Sequence, residues 1–284
     1  MTQKSTEQPL RILVVMAHPH DFTHCAGTCG IHTAAGDTVT AVSMTNGVGT
    51  HNERLHDELL KPEEDQDASI VNQTGEAYAE VKEREFRDVC ALFGVSDVRI
   101  LAFPDKPFRK TPEAVEALRH IIYDVRPHVL ITQRPYLHGR QGMVTAAHDD
   151  HDETAFAMLE AQSLASAPDY GSRQRPHTIA AAYYPGVYFM PDEIDFYVDI
   201  SEWKDQRIQA EILFSSQGHT EAFAHKRIEI SAGHMGWAAG REYAEGFVRA
   251  NAEVLPRIIV PESALERASE PRENYLKRIA GELK

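Results

Sequence analysis

The run Ile12-Leu13-Val14-Val15 stops abruptly at Met16-Ala17-His18-Pro19-His20-Asp21-Phe22. A short, wholly apolar segment of this kind reads as a strand buried on both faces, which is the habit of parallel sheets covered by helices. Open sheets of that class bind ligands outside the carboxyl ends of their strands. Pro19 fixes its own φ and biases His18 towards an extended shape, so His18 and Asp21 are presented by a stiff turn.

The pattern then repeats. A helix capped by Thr23 and stopped at Gly36 leads to a strand over 38–45. A long polar stretch to about Thr74 reads as a lid or a disordered segment. Phe86, Val89, Cys90 and Phe93 give a helix over 76–93 its apolar face, and a strand follows over 98–103. Thr111-Pro112 opens another helix and Pro127 closes it before a strand over 128–132. Four strand–helix repeats imply right-handed crossovers and a mostly parallel sheet. Beyond a helix ending near Ala165, strands are expected over 178–184 and 196–200. A helix from Ser201 to Phe214 follows, and then a mostly helical remainder interrupted by glycines over 233–240. No linker is evident. The expectation is one α/β domain over 1–284, with a core of about 10–250 and a helical tail of about 251–284.

A second polar cluster, His148-Asp149-Asp150-His151-Asp152-Glu153, follows the strand Val129-Leu130-Ile131-Thr132. Imidazole and carboxylate donors from separate loops suit a catalytic zinc centre with three protein ligands and one position for water. Asp152 and Glu153 read as a favourable acidic first turn of a helix. Asp149 or Asp150 is positioned to orient a ligand imidazole through its second nitrogen. Cys25, Cys29 and Cys90 are too few for a disulfide framework and read as small buried hydrophobes. His138, His219, His225 and His234 read as surface or pocket-rim groups. Tyr183, Tyr184, Tyr188 and Phe189 read as core or pocket wall.

A net charge of −14 without clustered Lys and Arg argues against nucleic acid as a partner. No run reaches the ~18 apolar residues of a membrane span. The first residues lack a signal-peptide core. A cytoplasmic enzyme with a small-molecule substrate is expected, with homo-oligomerisation left open.

Ala17-His18-Pro19-His20-Asp21-Phe22 with Ala26-Gly27-Thr28, and His148-Asp149-Asp150-His151, resemble the two motifs of the PIG-L/LmbE-like zinc-dependent de-N-acetylases. Supporting segments are Arg84-Glu85-Phe86, Leu92-Phe93-Gly94-Val95, Leu101-Ala102-Phe103-Pro104-Asp105, Lys204, Ser216-Gln217 and Tyr243-Ala244-Glu245-Gly246-Phe247. The resemblance implies a Rossmann-like three-layer αβα fold. It implies removal of an N-acyl group from a small amino sugar or amine by attack of a zinc-bound water, Fe²⁺ or Co²⁺ being other candidate metals. His18, Asp21 and His151 would be the metal ligands. His148 would stabilise the oxyanion, and Arg84 would bind substrate unless it only belongs to a solvated salt-bridge face.

Position 20 departs from the family, whose general base there is the first Asp of HPDD. His20 either takes over the proton transfer, adds a metal ligand, or leaves the work to Glu53, Asp105, Asp149 or Asp150. That departure keeps two alternatives in view: a zinc-dependent hydratase of an unsaturated keto-acid, and a non-catalytic metal- or ligand-binding homologue.

Overall fold

β1 (Arg11–Met16) is apolar along its length, so it is stable only where both of its faces are covered. The computed structural model, which describes residues 8–49, 51–105, 107–135 and 149–283, places it at the centre of a seven-stranded sheet. Ile12, Val14 and Met16 enter one core and Leu13 and Val15 the other, following the two-residue period of a strand.

The remaining strands are β2 (Thr38–Thr45), β3 (Asp97–Phe103), β4 (Val129–Thr132), β5 (Ala181–Pro185), β6 (Phe196–Asp199) and β7 (Ala244–Arg249). Their order is β3-β2-β1-β4-β5-β7-β6. Pairing is parallel from β3 through β5, and β7 runs antiparallel to both of its neighbours. The helices α1 (Ala26–Ala34), α2 (Glu53–Leu59), α3 (Ala68–Val71), α4 (Gly75–Leu92), α5 (Pro112–Val125), α6 (Asp150–Ser166) and α7 (Lys204–Leu213) cover the sheet and its edges. Phe86, Val89, Cys90 and Phe93 of α4 fill one core with Cys25, Cys29 and Phe214, so the three free thiols are buried packing groups. Val115, Leu118, Ile122 of α5 and Ala157, Met158, Ala161 of α6 fill the other. The chain is therefore a mostly parallel three-layer α/β structure, as the repeats imply. No helix among the described residues is long and apolar enough to cross a membrane.

β1 and β4 are neighbours in register, Ile12 opposite Val129 and Val15 opposite Thr132. α1, the helix after β1, packs on one face of the sheet and α6, the described helix after β4, packs on the other. The crevice of an open α/β sheet forms at such a switch point, and the turn after β1 and the first residues of α6 meet there. The N-terminus of α1, the place where sheets of this class often hold an anion, is occupied from within. Glu245 of β7 accepts from Gly27 N at 2.9 Å, Thr28 N at 2.8 Å and Thr28 Oγ1 at 2.7 Å.

Three expectations are corrected. A 3₁₀ turn, Pro19–His24, intervenes after β1, so α1 is capped at Cys25 and Thr23 is buried inside the turn. The polar stretch before Thr74 is ordered: Asn52 caps α2 through Leu55 N, and Asp67 caps α3 through Ser69 N. The remainder after α7 is not simply helical. α8 (Glu221–Ile228) runs through a π turn (Glu229–Gly233) into α9 (His234–Ala239), unbroken at Gly233 and Gly236 and ended by left-handed Gly240, and residues 244–249 insert as β7 between β5 and β6. Its Glu245 points inwards to α1, so the strand lacks the apolar alternation by which strands are read. α10 (Glu262–Ser269) and α11 (Arg272–Ile279) complete the described chain.

Candidate metal centre and active site

The turn after β1 is built around one carboxylate. His18 is extended (φ −128°, ψ 158°), as the residue before a proline should be. Its backbone N–H donates to Asp21 Oδ2 at 3.0 Å, closing the turn. Gln133, the first residue after β4, donates to the same oxygen from its Nε2 at 3.0 Å. The carboxylate thus stitches together the two strand ends that flank the crevice.

His18 Nδ1 and His151 Nε2 each lie 3.4 Å from Asp21 Oδ2. Two ligand atoms about 2.0–2.2 Å from a tetrahedral ion sit roughly 3.3–3.6 Å apart, so these spacings fit a cation held by three side chains. The other nitrogen of each imidazole faces a different carboxylate. His18 Nε2 is 3.1 Å from Asp150 Oδ2, and His151 Nδ1 is 3.5 Å from Asp149 Oδ1. Such partners fix which ring nitrogen is offered to a metal. Asp149 also caps α6, accepting from His151 N and Asp152 N at 2.9 Å each. Asp150 Oδ1 is held by Phe108 N at 2.8 Å. The paired aspartates are therefore divided, one to each imidazole.

The electrostatics favour positive charge at this point. Burial opposes ionisation of Asp21, but His151 and His18 hold its carboxyl well below the usual range. Burial likewise opposes protonation of His18 and His151. Asp150 and Asp21 raise His18 to about 9, and Asp21 with Asp149 raises His151 to about 10.

His20 points elsewhere. Its Nε2 lies 2.9 Å from Glu211 Oε2 on α7, and its ring stands edge-on to Phe214 and His219. Among the described residues it remains close to the metal centre: a ring nitrogen of His20 lies within 4.8 Å of ligand atoms of Asp21 and His24. Burial lowers the His20 pKa, with Arg227 and His219 adding to that against the pull of Glu211. His24 is pushed down to about 3 by burial, and its Nδ1 lies 2.9 Å from the Tyr188 hydroxyl. His20 also borders a cavity of about 350 Å³, whose walls include His51, Glu53, Gln217, His219 and Arg227. The stretch read as a lid thus supplies, at its α2 end, a structured wall of this cavity.

Other expectations fare differently. Arg84 is exposed on the outer face of α4 and does not join the ligand triad. Two residues earlier, Lys82 is fully buried, and its Nζ has no hydrogen-bond partner among the described residues. Burial lowers its pKa to about 8 against the attraction of Glu85, Asp105, Glu53 and Asp21. Lys82 lies four residues before Phe86 and seven before Val89, so the apolar period of the helix already put it on the buried face, and that signal was passed over in favour of Arg84. Glu211 was missed because its partner is His20, far away in sequence, whereas His219, read as a surface or pocket-rim group, does border the cavity. Asp105 accepts from Gly49 N at 2.8 Å, and Glu53 faces His51 Nδ1 at 2.9 Å. His148 and His138 lie outside the described residues.

The family model for GlcNAc-PI de-N-acetylase (PIG-L) matches residues 13–162. The chain is 31% identical over 188 residues to a 1D-myo-inositol 2-acetamido-2-deoxy-alpha-D-glucopyranoside deacetylase of Streptomyces griseus, a match covering 62% of this chain and 56% of that enzyme. It is 24% identical over 238 residues to a probable N-acetyl-alpha-D-glucosaminyl L-malate deacetylase 2 of Bacillus anthracis, covering 83% of this chain and 87% of the other. Among solved structures, the 4-carboxy-2-hydroxymuconate hydratase of Pseudomonas putida shares the fold, with a TM-score of 0.68 at 19% identity, over 87% of this chain and 99% of that one. The family match covers over half of the chain, from β1 through most of α6, and contains His18, Asp21 and His151; on that ground the chain belongs to the PIG-L family.

Proposed function

We propose that this chain is a metal-dependent hydrolase that removes an N-acyl group, most simply acetyl, from a small amino sugar or amine. The observation that carries the reading is the His18–Asp21–His151 triad, at ligand spacing and with each imidazole backed by its own carboxylate. Zinc suits a donor set of two imidazoles and one carboxylate. When bound, such an ion polarises the acyl carbonyl and lowers the pKa of water at the open position.

The protein's own groups do the rest. His20, kept neutral by burial, accepts a proton from the attacking water as the new C–O bond forms. It then gives that proton to the nitrogen as the C–N bond breaks, releasing acetate and a free amine. His148 is assigned by resemblance to the developing oxyanion. The hydratase alternative draws on the departure at position 20 and on fold likeness at 19% identity, whereas relatives similar in sequence are deacetylases.

The test is a panel of N-acetyl amino sugars and N-acetyl amines offered to zinc-loaded protein, with acetate and free amine both assayed. Stoichiometric appearance of the two, abolished by a chelator and restored by zinc, is the expected outcome. Failure to release acid from any member would overturn the reading.

Lys82 supplies the cation that the sequence assigned to Arg84. Its ammonium is wholly buried without a hydrogen-bond partner among the described residues, so a hydroxyl or anionic group of the substrate would pair with it only by displacing the side chains that cover it. A hydrogen bond to a charged group is worth about 1.5–3 kcal/mol, so Lys82→Met should raise KM roughly 10–100-fold with kcat nearly unchanged. The matching Arg84→Met change should leave both constants unaltered. An unchanged KM in Lys82→Met, with only the melting temperature altered, would make Lys82 a packing residue.

A further inference from the structure

Glu211 joins His20 across 191 positions of sequence and is 1% exposed. Its Oε2 meets His20 Nε2 at 2.9 Å, Arg227 Nε at 3.2 Å and His219 Nδ1 at 3.4 Å, while Arg207 Nη1 lies 4.0 Å from Oε1. Arg207 also reaches Glu245, the carboxylate that caps α1, at 3.2 Å. Burial alone would favour the neutral acid. The guanidinium groups of Arg227 and Arg207, charged at any working pH, offset that and keep Glu211 a carboxylate.

An ionised carboxylate only accepts hydrogen bonds, so His20 Nε2 must carry the hydrogen between them. A neutral imidazole has a single N–H, which leaves Nδ1 with the lone pair. Nδ1 has no hydrogen bond among the described residues, and 11% of the His20 side chain remains accessible. Phe214 and His219 hold the plane of the ring edge-on at centroid distances of 4.9 and 5.2 Å, and a flip within that plane would break the bond to Glu211.

We infer that Glu211 is a positioning residue: it fixes His20 in the Nε2–H tautomer and aims Nδ1 as the nitrogen that receives the proton of the attacking water and returns it to the leaving amine. The inference rests on the reading of His20 as the proton-transfer group. The Nε2 hydrogen stays in place throughout, and Glu211 remains a carboxylate that steadies the imidazolium formed in between. In this chain the carboxylate of the family's HPDD motif is replaced by an imidazole at position 20, with its supporting carboxylate supplied from α7.

The test uses zinc-loaded, ¹⁵N-histidine-labelled protein, with the His20 signals assigned by their absence in His20→Gln. Long-range ¹H–¹⁵N correlation should show a protonated Nε2 and an unprotonated Nδ1. Glu211→Ala should lose that pattern and about 10²-fold or more in kcat, with KM and bound zinc unchanged, and Glu211→Gln, which keeps an acceptor oxygen, should recover part of both. An Nδ1–H tautomer in the wild-type protein would overturn the inference without needing any variant to fold. So would undiminished kcat in Glu211→Ala, or a loss of zinc that matches the loss of turnover. Undiminished turnover in His20→Ala would overturn the role of His20 itself, a separate outcome from the tautomer measurement, which tests the anchor alone.

Discussion

Asp21→Asn should strip the protein of its metal and of its hydrolytic activity together. The substitution keeps the shape of the side chain and an oxygen able to accept from His18 N and Gln133 Nε2. What it removes is the negative charge 3.4 Å from both ligand imidazoles. Losing a carboxylate that merely supports a ligand costs about 10–100-fold in metal affinity, and that is the expectation for Asp150→Asn, whose carboxylate meets His18 at its far nitrogen and is held by Phe108 N. Losing the shared ligand should exceed that range. With the cation goes its stabilisation of the transition state, several kcal/mol, so kcat/KM should fall by about 10³-fold or more. Elemental analysis after dialysis, together with acetate release, checks both. Stoichiometric zinc in Asp21→Asn would remove Asp21 from the ligand set.

The second large effect is on the metal-free protein, whose stability should fall as pH rises from about 6.5 to about 10. His18 and His151 are held at about 9 and about 10, above the ordinary imidazole value. A group whose folded pKa is raised contributes stability that is complete below its unfolded pKa and disappears as pH passes its folded one. A tenfold gain in proton affinity on folding is worth about 1.4 kcal/mol, so the two imidazoles make this a decline of several kcal/mol. Asp21 acts in a different window: its depressed carboxyl contributes above about pH 4 and is lost only in stronger acid.

A metal must displace the same imidazole protons, so its affinity should rise over the same interval. Melting temperatures of chelator-treated and zinc-loaded protein, measured from pH 6 to 10, should therefore diverge, the first falling and the gap widening. A flat profile for the metal-free protein, or an identical slope in Asp21→Asn, would show that the imidazoles are not tied to Asp21.

Much of the proposed ligand set was legible because it is local. His18 and Asp21 belong to one turn, and Pro19 decides the backbone that presents them. Asp149, Asp150 and His151 likewise share one helix start, and the two aspartates divided between the imidazoles with no signal beyond adjacency. Arg84 was misplaced against a legible signal. Successive charged residues on α4 differ by about 100° in direction, and the spacing of Lys82 to Phe86 and Val89 puts it on the apolar face while Arg84 faces solvent, a placement that the packing bears out. β7 had no such signal. Its Glu245 and Gly246 serve α1 and the close packing of Ile194, whose Cγ2 would sit 3.1 Å from an added Cβ at Gly246, and neither residue signals a strand.

By itself the sequence determined the parallel αβ core, the strand ends where a site could form and the three side chains able to hold a cation there, because apolar periodicity and proline-set turns act over a few residues. Only the tertiary structure decided which buried charges meet: Glu211 with His20, Glu245 with α1, and Lys82 within its acidic surroundings. Such pairings join groups that carry no mutual signal along the chain. They form when burial removes water from a carboxylate or an ammonium, leaving a distant side chain as the nearest source of compensating charge.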